Sequence, residues 1–426
     1  MNSKFMAASG CLLAALALGV AACGSDNGGS GGGGTKSSGG GSAGKTLTIY
    51  SSVPLQGASR VSTEALVNGA KLAVEQAGNK AGSHTIKYVP LDDSTAQAGS
   101  WTPEATSANA LKAAQDKNTA VYIGEFNSGA TKISLPILSE AGVPQISPAN
   151  TYVGLTTDEP GSEPGEPDKY YPTGDRTYVR IVPKDTIQAA ALVTLMKTDG
   201  CTKVAMTNDK EVYGAGLARV IQLSAKQQGL TLTSNDAIDK NASNYRSIAS
   251  KAKAAGADCF VYSGITANNA VQQFKDFAAA LGKDAKMYGP DGVCETGFVS
   301  EKDGGIPKAL DPQVKCTVAT LTPDKYPPEG QQFFKSFTEK YGVDNPDPYA
   351  IYGYEAMSLA LDAIKRSKTG EKADIKKALF ETKDRQSVLG TYSIDENGDT
   401  TLTDYGAYAV VNGELKFDQV IKAKAG

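Results

Sequence analysis

Short apolar segments rich in β-branched and aromatic residues alternate with longer amphipathic segments through the first third of the chain. The short segments cover residues 46–50, 85–91, 120–124 and 143–147, and each precedes a stretch with helical spacing. The apolar positions of the first such stretch have the spacing of a helix packed on a sheet. They are Leu66, Ala70, Ala73, Val74 and Ala77. The pattern predicts repeated strand-helix units.

The same alternation returns further along, with apolar segments at residues 203–208, 231–237, 258–264 and 286–289. The helical stretches between segments end at glycines, which can adopt the positive φ that ends a helix. These are Gly142, Gly200, Gly229, Gly256 and Gly282. Repeated strand-helix units form doubly wound parallel sheets, and about 380 residues are too many for one core. We therefore predict an α/β fold of two doubly wound parallel-sheet lobes.

The amino terminus has the pattern of an export signal. Lys4 precedes an uncharged apolar run over residues 11–22, which is shorter than the ~20 residues that span a bilayer. The run ends in Val20-Ala21-Ala22-Cys23, which resembles the lipobox of bacterial lipoproteins. We expect residues 1–22 to be a signal peptide and Cys23 to be lipidated, with an ordinary secretory signal as the alternative.

Residues 24–44 are almost entirely Gly and Ser, a composition typical of a flexible tether. Residues 23–44 would thus join a membrane anchor to the folded body. The segment also contains a G-x-x-x-x-G-K-[ST] match at residues 39–46 and a G-x-S-x-G match at residues 40–44. A phosphate loop and a nucleophile elbow both need a strand before and a helix after them. A glycine tract followed by a strand meets neither requirement, so we treat both as chance.

Composition excludes several functions. A net charge of −3 provides no basic surface for nucleic acid. His84 is the only histidine, which argues against histidine triads and zinc sites. The segment 395–399 resembles a calcium loop, but its glycine is at the fourth position and Gly406 replaces the bidentate glutamate. We expect a turn there, no metal, no cofactor and no enzymatic activity.

Four cysteines remain after the leader and Cys23, and four is a disulfide count in an oxidising exterior. Cys201 and Cys259 each begin an apolar strand after a helix-ending glycine. Of the three possible connectivities, we predict Cys201 with Cys259 and Cys294 with Cys316.

Ligands of such sheets bind beyond the carboxyl ends of the strands. The loop after residues 120–124 begins a helix near Ser128, where the hydroxyl and helix-start amides suit a carboxylate. Capping of that helix by Ser128 is the alternative. Residues 147–151 form a second polar turn at the next strand end. These two loops are a candidate binding site.

An ordered series of motifs carries a family resemblance. The series is NGAKLAVE at 68–75, LDD at 91–93, GVPQISPANT at 142–151, VYGAGLA at 212–218, AGAD at 255–258, YGPDG at 288–292 and YAIYGYEA at 349–356. Over residues 45–416 the chain resembles the leucine/isoleucine/valine-binding receptors of bacterial importers, which have the type I periplasmic-binding-protein fold. The resemblance implies a three-crossover hinge near Arg180, Pro327 and Thr391. It implies one lobe at 45–180 plus 328–390 and another at 181–327 plus 391–426.

The resemblance also implies a ligand site. Ser128, Ala149 and Thr151 match positions that hold the ligand's carboxylate in that family. Asp291 matches the position that meets the ammonium, with Tyr213 closing over the ligand and Tyr349 near the hinge. Departures from the family occur at Ile265, at Asn150 and in a Pro-rich insertion, residues 158–175.

The expected protein is a monomeric, lipid-anchored receptor on the extracytoplasmic face of the cell membrane. Its partners would be a branched-chain-like amino acid or similar small polar solute, and the permease and ATPase of an ABC importer. Receptors for amides, urea or aromatic acids, and a sensory lipoprotein, are alternatives. An extracellular enzyme is a further one, although no acid-base pair or nucleophile constellation is visible.

Overall fold

A computed structural model describes residues 44–423. The predicted signal peptide, Cys23 and nearly all of the tether lie outside these residues. Eleven α-helices are present in the described part of the chain. They are α1 (Arg60–Gln76), α2 (Pro103–Gln115), α3 (Ser128–Glu140), α4 (Asp185–Thr198), α5 (Val212–Gln228), α6 (Arg246–Ala254), α7 (Ala270–Leu281), α8 (Thr296–Val299), α9 (Pro328–Tyr341), α10 (Ala350–Ser367) and α11 (Lys372–Phe380).

The same residues contain seventeen strands. They are β1 (Thr46–Val53), β2 (Lys80–Ala81), β3 (His84–Asp92), β4 (Ser94–Thr95), β5 (Ser100–Trp101), β6 (Thr119–Gly124), β7 (Gln145–Ser147), β8 (Tyr178–Arg180), β9 (Lys203–Asn208), β10 (Thr231–Ala237), β11 (Cys259–Ser263), β12 (Lys286–Gly289), β13 (Val314–Val318), β14 (Arg385–Ser387), β15 (Gly390–Tyr392), β16 (Asp404–Val411) and β17 (Glu414–Lys422). No described helix is both long and apolar enough to cross a membrane.

The first lobe is built on a six-stranded sheet with the order β2-β3-β1-β6-β7-β8. All neighbours pair in parallel except β2 with β3. Every residue of β6 is buried, as expected for a parallel strand covered by helices on both faces. The carboxyl ends of β1, β6 and β7 therefore meet at one edge of this sheet.

The second lobe is built on a seven-stranded sheet with the order β10-β9-β11-β12-β13-β16-β17. Strands β9 to β13 pair in parallel. The last two strands form an antiparallel hairpin that extends the sheet beyond β13. The two-lobe α/β fold is thus confirmed, with an antiparallel edge in each sheet that the periodicity did not predict.

The chain passes between the lobes three times. Strand β8 belongs to the first sheet, while α4 packs against α5 and β13 of the second lobe. Helices α10 and α11 pack on α1 and β6 of the first lobe, and β16 returns to the second sheet. These passages form the predicted three-crossover hinge. The boundaries assigned to each lobe from the sequence stay predictions.

Helices α1 and α10 cross closely because each has a glycine at the contact. A methyl group on Gly69 would lie 2.1 Å from the carbonyl oxygen of Ala350, and one on Gly353 would lie 1.9 Å from that of Leu66. Both helices bury apolar faces in the first-lobe core. This contact fixes the late helix α10, and with it Tyr349 at its start, against the first lobe.

Two disulfide bonds are present, and both have the connectivity predicted from the sequence. The sulfur atoms of Cys201 and Cys259 lie 1.98 Å apart, and those of Cys294 and Cys316 lie 2.09 Å apart. The first bond joins Cys201, two residues before β9, to Cys259, the first residue of the neighbouring strand β11. The second joins the loop after β12 to β13.

Candidate functional site

A narrow cleft between the lobes brings together all six residues predicted to contact a ligand. Its lining comprises Phe126, Asn127, Ser128, Gly129, Ala149, Thr151, Glu211, Tyr213, Ile265, Asp291, Gly292 and Tyr349. Each of these residues follows a strand end or begins a helix. The strand-end rule therefore located the first-lobe wall and the family resemblance the second, whereas their contacts with a ligand stay a prediction.

The first-lobe wall begins where β6 ends. Asn127 is the N-cap residue of α3, with an extended backbone, and Ser128 is the first helical residue. Ser128 is therefore not the cap, contrary to the alternative drawn from the sequence. Asn127 makes no side-chain capping bond, and its Oδ1 is buried without a partner among the described residues. The start of α3 thus presents polar groups to the cleft.

The turn after β7 is held rigidly by buried hydrogen bonds. The backbone N–H groups of Asn150 and Ala149 donate to Ser147 Oγ over 2.9 and 3.3 Å. The Asn150 amide nitrogen donates to the carbonyl oxygens of Glu125 and Phe126 over 3.0 and 2.9 Å. Asn150 therefore fastens the second polar loop to the first. This departure from the family pattern is a structural contact between two loops of the first-lobe wall.

Two tyrosines hold the carboxyl group of Asp291 on the second-lobe wall. Tyr213 donates its hydroxyl to Oδ1 over 2.6 Å, and Tyr349 donates to Oδ2 over 3.0 Å. Burial raises the pKa of Asp291, and these hydrogen bonds offset part of the rise. Burial also raises the pKa of both tyrosines well above the usual range. Within the described part of the chain, Asp291 thus has neutral donors around it and no basic side chain bound to it.

A second layer lies behind these residues. Gln188 Oε1 accepts the backbone N–H of Asp291 over 2.8 Å, and Gln188 Nε2 donates to Asp185 Oδ1 over 2.9 Å. The backbone N–H of Asp185 donates to the carbonyl oxygen of Thr151 over 2.8 Å. Asp185 and Gln188 therefore connect the two walls of the cleft. Sequence reasoning missed both, although they begin the first helix after the hinge crossing.

The lining has an acidic balance. Glu211 and Asp291 carry carboxyl groups, and none of the twelve lining residues is Lys, Arg or His. Glu211 follows β9 and contributes from the second lobe, a position that the strand-end rule should have included. Its nearest cationic partner is Lys240, at 3.6 Å, whose side chain is half exposed. An entering cation would therefore find Glu211 paired only with a half-exposed lysine and, among the described residues, no cationic partner at Asp291.

The free space in the cleft is about 20 Å³, close to the room that one water molecule needs. The lobes touch beside it, where Ser59 Oγ donates to Glu295 Oε1 over 3.2 Å and Ala58 packs against Gly297. A larger molecule can enter only when the two walls separate. The two lobes are therefore in a closed arrangement.

A wider groove of about 750 Å³ lies elsewhere, along residues 296–323 and 408–417. It contains none of the six predicted residues, and exposed charges of both signs line it, among them Glu301, Lys302 and Lys416. The narrower cleft is the better candidate because polar groups from both lobes converge there.

The described residues fit no metal site. Cys201, Asp258 and Cys259 have suitable spacing, but the two sulfurs are joined in a disulfide. In the segment resembling a calcium loop, Asp395 Oδ1 accepts the backbone N–H groups of Asn397 and Asp399. Asp399 itself pairs with the buried Arg180 at 2.7 Å. The segment is a turn, as expected.

Comparison with known proteins gives a consistent result. A model of the "Periplasmic binding protein" family matches residues 46–414. "Leu/Ile/Val-binding protein homolog 1" of Brucella melitensis biotype 1 is 25% identical over 371 residues, which are 86% of this chain and 91% of that protein. An "Amino acid binding protein" of Pseudomonas aeruginosa is 26% identical over 361 residues, 83% of this chain and 87% of that protein.

Solved structures share the fold. A leucine binding protein, LivK, of Thermotoga maritima superposes with a TM-score of 0.74 at 22% identity, covering 88% of this chain and 99% of that one. A solute binding protein of R. palustris in complex with benzoate gives 0.71 at 21% identity, covering 89% and 98%. Proteins of the same fold are therefore described in complex with benzoate in one case and as leucine binding in another.

Proposed function

The chain belongs to the periplasmic binding protein family, and from that premise we propose that it captures an amino acid, branched-chain or similar, outside the cytoplasm for an ABC importer. The family consists of solute-binding proteins rather than enzymes. The observation that carries the proposal is the convergence of Ser128, Thr151 and Asp291 from both lobes on one cleft.

The two walls differ in the charge that they would accept. The start of α3 and the turn at 147–151 offer a hydroxyl, N–H groups and the positive end of a helix, which favour a carboxylate. The opposite wall offers the Asp291 carboxyl group beneath two tyrosines, which favours an ammonium group. A zwitterion is costly to desolvate unless both its charges are paired. An amino acid spanning the cleft would pair both.

Capture would proceed by closure of the lobes about the three crossovers. A ligand that touches both walls binds the closed form more tightly and shifts the population toward it. The contacts between Ser59 and Glu295, and between Arg219 and the carbonyl oxygen of Gly161 at 2.6 Å, would form as the cleft closes. The importer's permease would then recognise the closed surface.

A receptor for aromatic acids is the second candidate. The rings of Phe126, Tyr213 and Tyr349 line the cleft, and Phe126 and Tyr349 lie 4.7 Å apart edge to face. One relative of this fold is seen in complex with benzoate. The acidic lining argues against this candidate, because an aromatic acid such as benzoate carries no positive charge to pair with Glu211 and Asp291.

Membrane attachment through Cys23 completes the proposal. The lipobox and the Gly/Ser tether support a lipid anchor at the extracytoplasmic face, and two acyl chains give stable attachment where one does not. We expect the mature protein to begin at a modified Cys23. Mass spectrometry of protein from the native cells measures this directly, and an unmodified Cys23 would contradict it.

A sensory receptor with the same fold is an alternative to a transport receptor. The neighbouring genes distinguish the two, because a transport receptor is encoded beside permease and ATPase genes.

A thermal-shift screen tests the ligand class. Amino acids, amides and aromatic acids are each added at graded concentrations, and a ligand at 100 times its Kd should stabilise the protein by about 2.7 kcal/mol. We expect leucine, isoleucine or valine to raise Tm. Stabilisation by benzoates alone would favour the second candidate instead.

A further inference from the structure

Asp185 is a buried acid directly behind the cleft, and the proposed contacts with a ligand do not use it. Its side chain has no solvent exposure. Oδ1 accepts one hydrogen bond from Gln188, while Oδ2 is buried without a partner among the described residues. A buried carboxylate with an unmatched oxygen is costly to keep charged. Its environment therefore favours the protonated form.

Gln188 places this acid close to the ammonium subsite proposed at Asp291. One side-chain amide group accepts the backbone N–H of Asp291 and donates to Asp185 Oδ1, so the two aspartates are separated by two hydrogen bonds and one amide. The same nitrogen approaches Thr151 Oγ1 at 3.5 Å. Gln188 is thus a positioning residue, and any charge placed at Asp291 acts on Asp185 as well.

The charged and titratable groups around Asp185 leave its charge unbalanced. Arg180 on β8 is bound to Asp399 at 2.7 Å and to two backbone carbonyl oxygens. Tyr213 on α5 donates to Asp291, and Tyr405 on β16 donates to the carbonyl oxygen of Pro183. Asp291 carries charge of the same sign. Burial first, and Asp291 second, raise the pKa of Asp185 to about 7.

We propose that Asp185 is a second acid of the ligand site, that below neutral pH it holds a proton while the cleft is without ligand, and that an ammonium group bound at Asp291 expels this proton to solvent. The ligand's positive charge neutralises the repulsion from Asp291 and attracts the Asp185 carboxylate. The site then favours amine-bearing ligands over their des-amino analogues through two carboxylates rather than one. This inference rests on the proposed recognition of an amine.

The sign of the pH dependence follows from the proton balance. Because the pKa of Asp185 is about 7, the ligand-free protein at lower pH holds a proton there that must leave when the ligand binds. At higher pH, Asp185 has already lost this proton before binding. Affinity for an amine should therefore rise with pH up to neutrality, by at most tenfold per pH unit, and level off above about pH 8. Proton release at pH 7 should be roughly half a proton per ligand.

Isothermal titration with L-leucine tests the inference in the whole mature protein. Titrations at pH 7 in buffers of different ionisation enthalpy give the number of protons released, and 4-methylpentanoate serves as the des-amino control. We expect leucine to release protons, and the isosteric variant Asp185→Asn to bind leucine at least tenfold more weakly with no proton release. Release that is unchanged in Asp185→Asn would overturn the inference.

A measurement without ligand separates this inference from the proposed function. Burial also raises the pKa of Glu125 and Asp209 to about 7, so the useful signal is the difference between wild type and Asp185→Asn. Infrared spectra between pH 5 and 9 should show a protonated carboxyl band that is missing from the variant. Failure of leucine to bind would count against the proposed function, whereas absence of this band would overturn the role of Asp185.

A variant of Gln188 provides the last test of this inference. Gln188→Glu keeps the size of the side chain but adds a third carboxyl group between the aspartates. We expect the infrared transition of Asp185 to move to higher pH, because like charge disfavours ionisation. A transition that stays in place would contradict the contact between position 188 and Asp185, and with it the role of Gln188 as a positioning residue.

Discussion

Asp291 is the residue on which the ligand class depends. Its carboxyl group is buried, and three neutral groups bind it: two tyrosine hydroxyls at its oxygens and Gln188 at its backbone. Neutral donors stabilise a charge without cancelling it. A ligand that carries positive charge would supply the missing compensation, whereas an anionic ligand would not.

We expect Asp291→Ala to weaken leucine binding by roughly 2 to 5 kcal/mol, because the ligand's ammonium would be desolvated without a partner. Ser128→Ala removes one hydrogen bond of several and should cost about 1 to 3 kcal/mol. Isothermal titration measures both. The exposed Asp284 of the same lobe provides a control, since Asp284→Ala should leave affinity unchanged. An Asp291 variant that binds as tightly as wild type would show that the true ligand lacks an amine.

The six predicted positions came from strand ends and from family motifs, which local sequence preserves. The partners of those residues were not predictable in the same way. Asn150 looked like a limit on the inferred substrate, but it is fully buried and bonds to a loop 24 and 25 residues away in the chain. Such long-range hydrogen bonds depend on how two loops meet, which periodicity does not encode.

At the scale of elements, the insertion at residues 158–175 contacts both lobes. Glu166 is its centre, accepting hydroxyl hydrogen bonds from Tyr152 at 2.5 Å and Tyr170 at 2.6 Å. Gly161 packs against Val220 of α5, and Arg219 of the same helix donates to the carbonyl oxygen of Gly161. The segment is therefore tied to the first lobe and also touches the second.

We expect Glu166→Ala to destabilise the protein by about 3 kcal/mol, because it leaves two buried hydroxyls without their charged acceptor. Hydrogen bonds from both tyrosines outweigh burial and lower the pKa of Glu166. The loss should thus be full above the ordinary glutamate value of 4.5 and shrink in acid. Urea denaturation measures it. Glu163→Ala, on the same segment with a 39% exposed side chain, should cost under about 1 kcal/mol; equal losses would argue against a specific role for Glu166.

The two disulfides close loops of different length, 58 and 22 residues. In the loop-entropy model, replacing Cys201 and Cys259 by Ser should destabilise by about 4 kcal/mol, and replacing Cys294 and Cys316 by about 3 kcal/mol. Chemical denaturation of each double variant gives these values, and wild type under reducing conditions should lose at least as much as either. Free thiols at all four positions in peptide mapping would refute the pairing.

Each strand segment predicted from strand-helix alternation overlaps an observed parallel strand, but the parallel strands β8 and β13 were not predicted. All five predicted helix-ending glycines have positive φ. The hairpin of β16 and β17 was missed, although its turn carried a signal. Asn412 and Gly413 both have positive φ, the geometry that an Asn-Gly hairpin turn requires. Side chains of an antiparallel edge strand alternate between buried and exposed with a period of two, whereas the predicted strands were continuous apolar segments.

At the scale of the whole molecule, the contact between the lobes determines how the protein would act. Ala58 at the start of α1 faces Gly297 in the short helix α8 of the second lobe, so closely that a methyl group on Gly297 would lie 1.9 Å from the Ala58 carbonyl oxygen. Neither residue lines the ligand cleft. The absence of a side chain at Gly297 is therefore a requirement of the closed arrangement.

We expect Gly297→Ala to weaken ligand binding without touching the ligand site. The variant must hold its lobes apart to avoid the clash, so the fraction able to close falls and the apparent Kd rises in proportion, by roughly ten- to a hundredfold. Small-angle scattering should show a larger radius of gyration for the variant than for wild type in the presence of leucine.

A second measurement uses Trp101, the only tryptophan, which lies against Gly129 at the cleft. The fluorescence of wild type should change on binding, and the same change should saturate at a higher leucine concentration in the variant. Ala is well tolerated in a helix, and Tm without ligand should therefore stay close to that of wild type. Wild-type affinity in Gly297→Ala would show that this contact is not part of closure and that the lobes seal the ligand by another route.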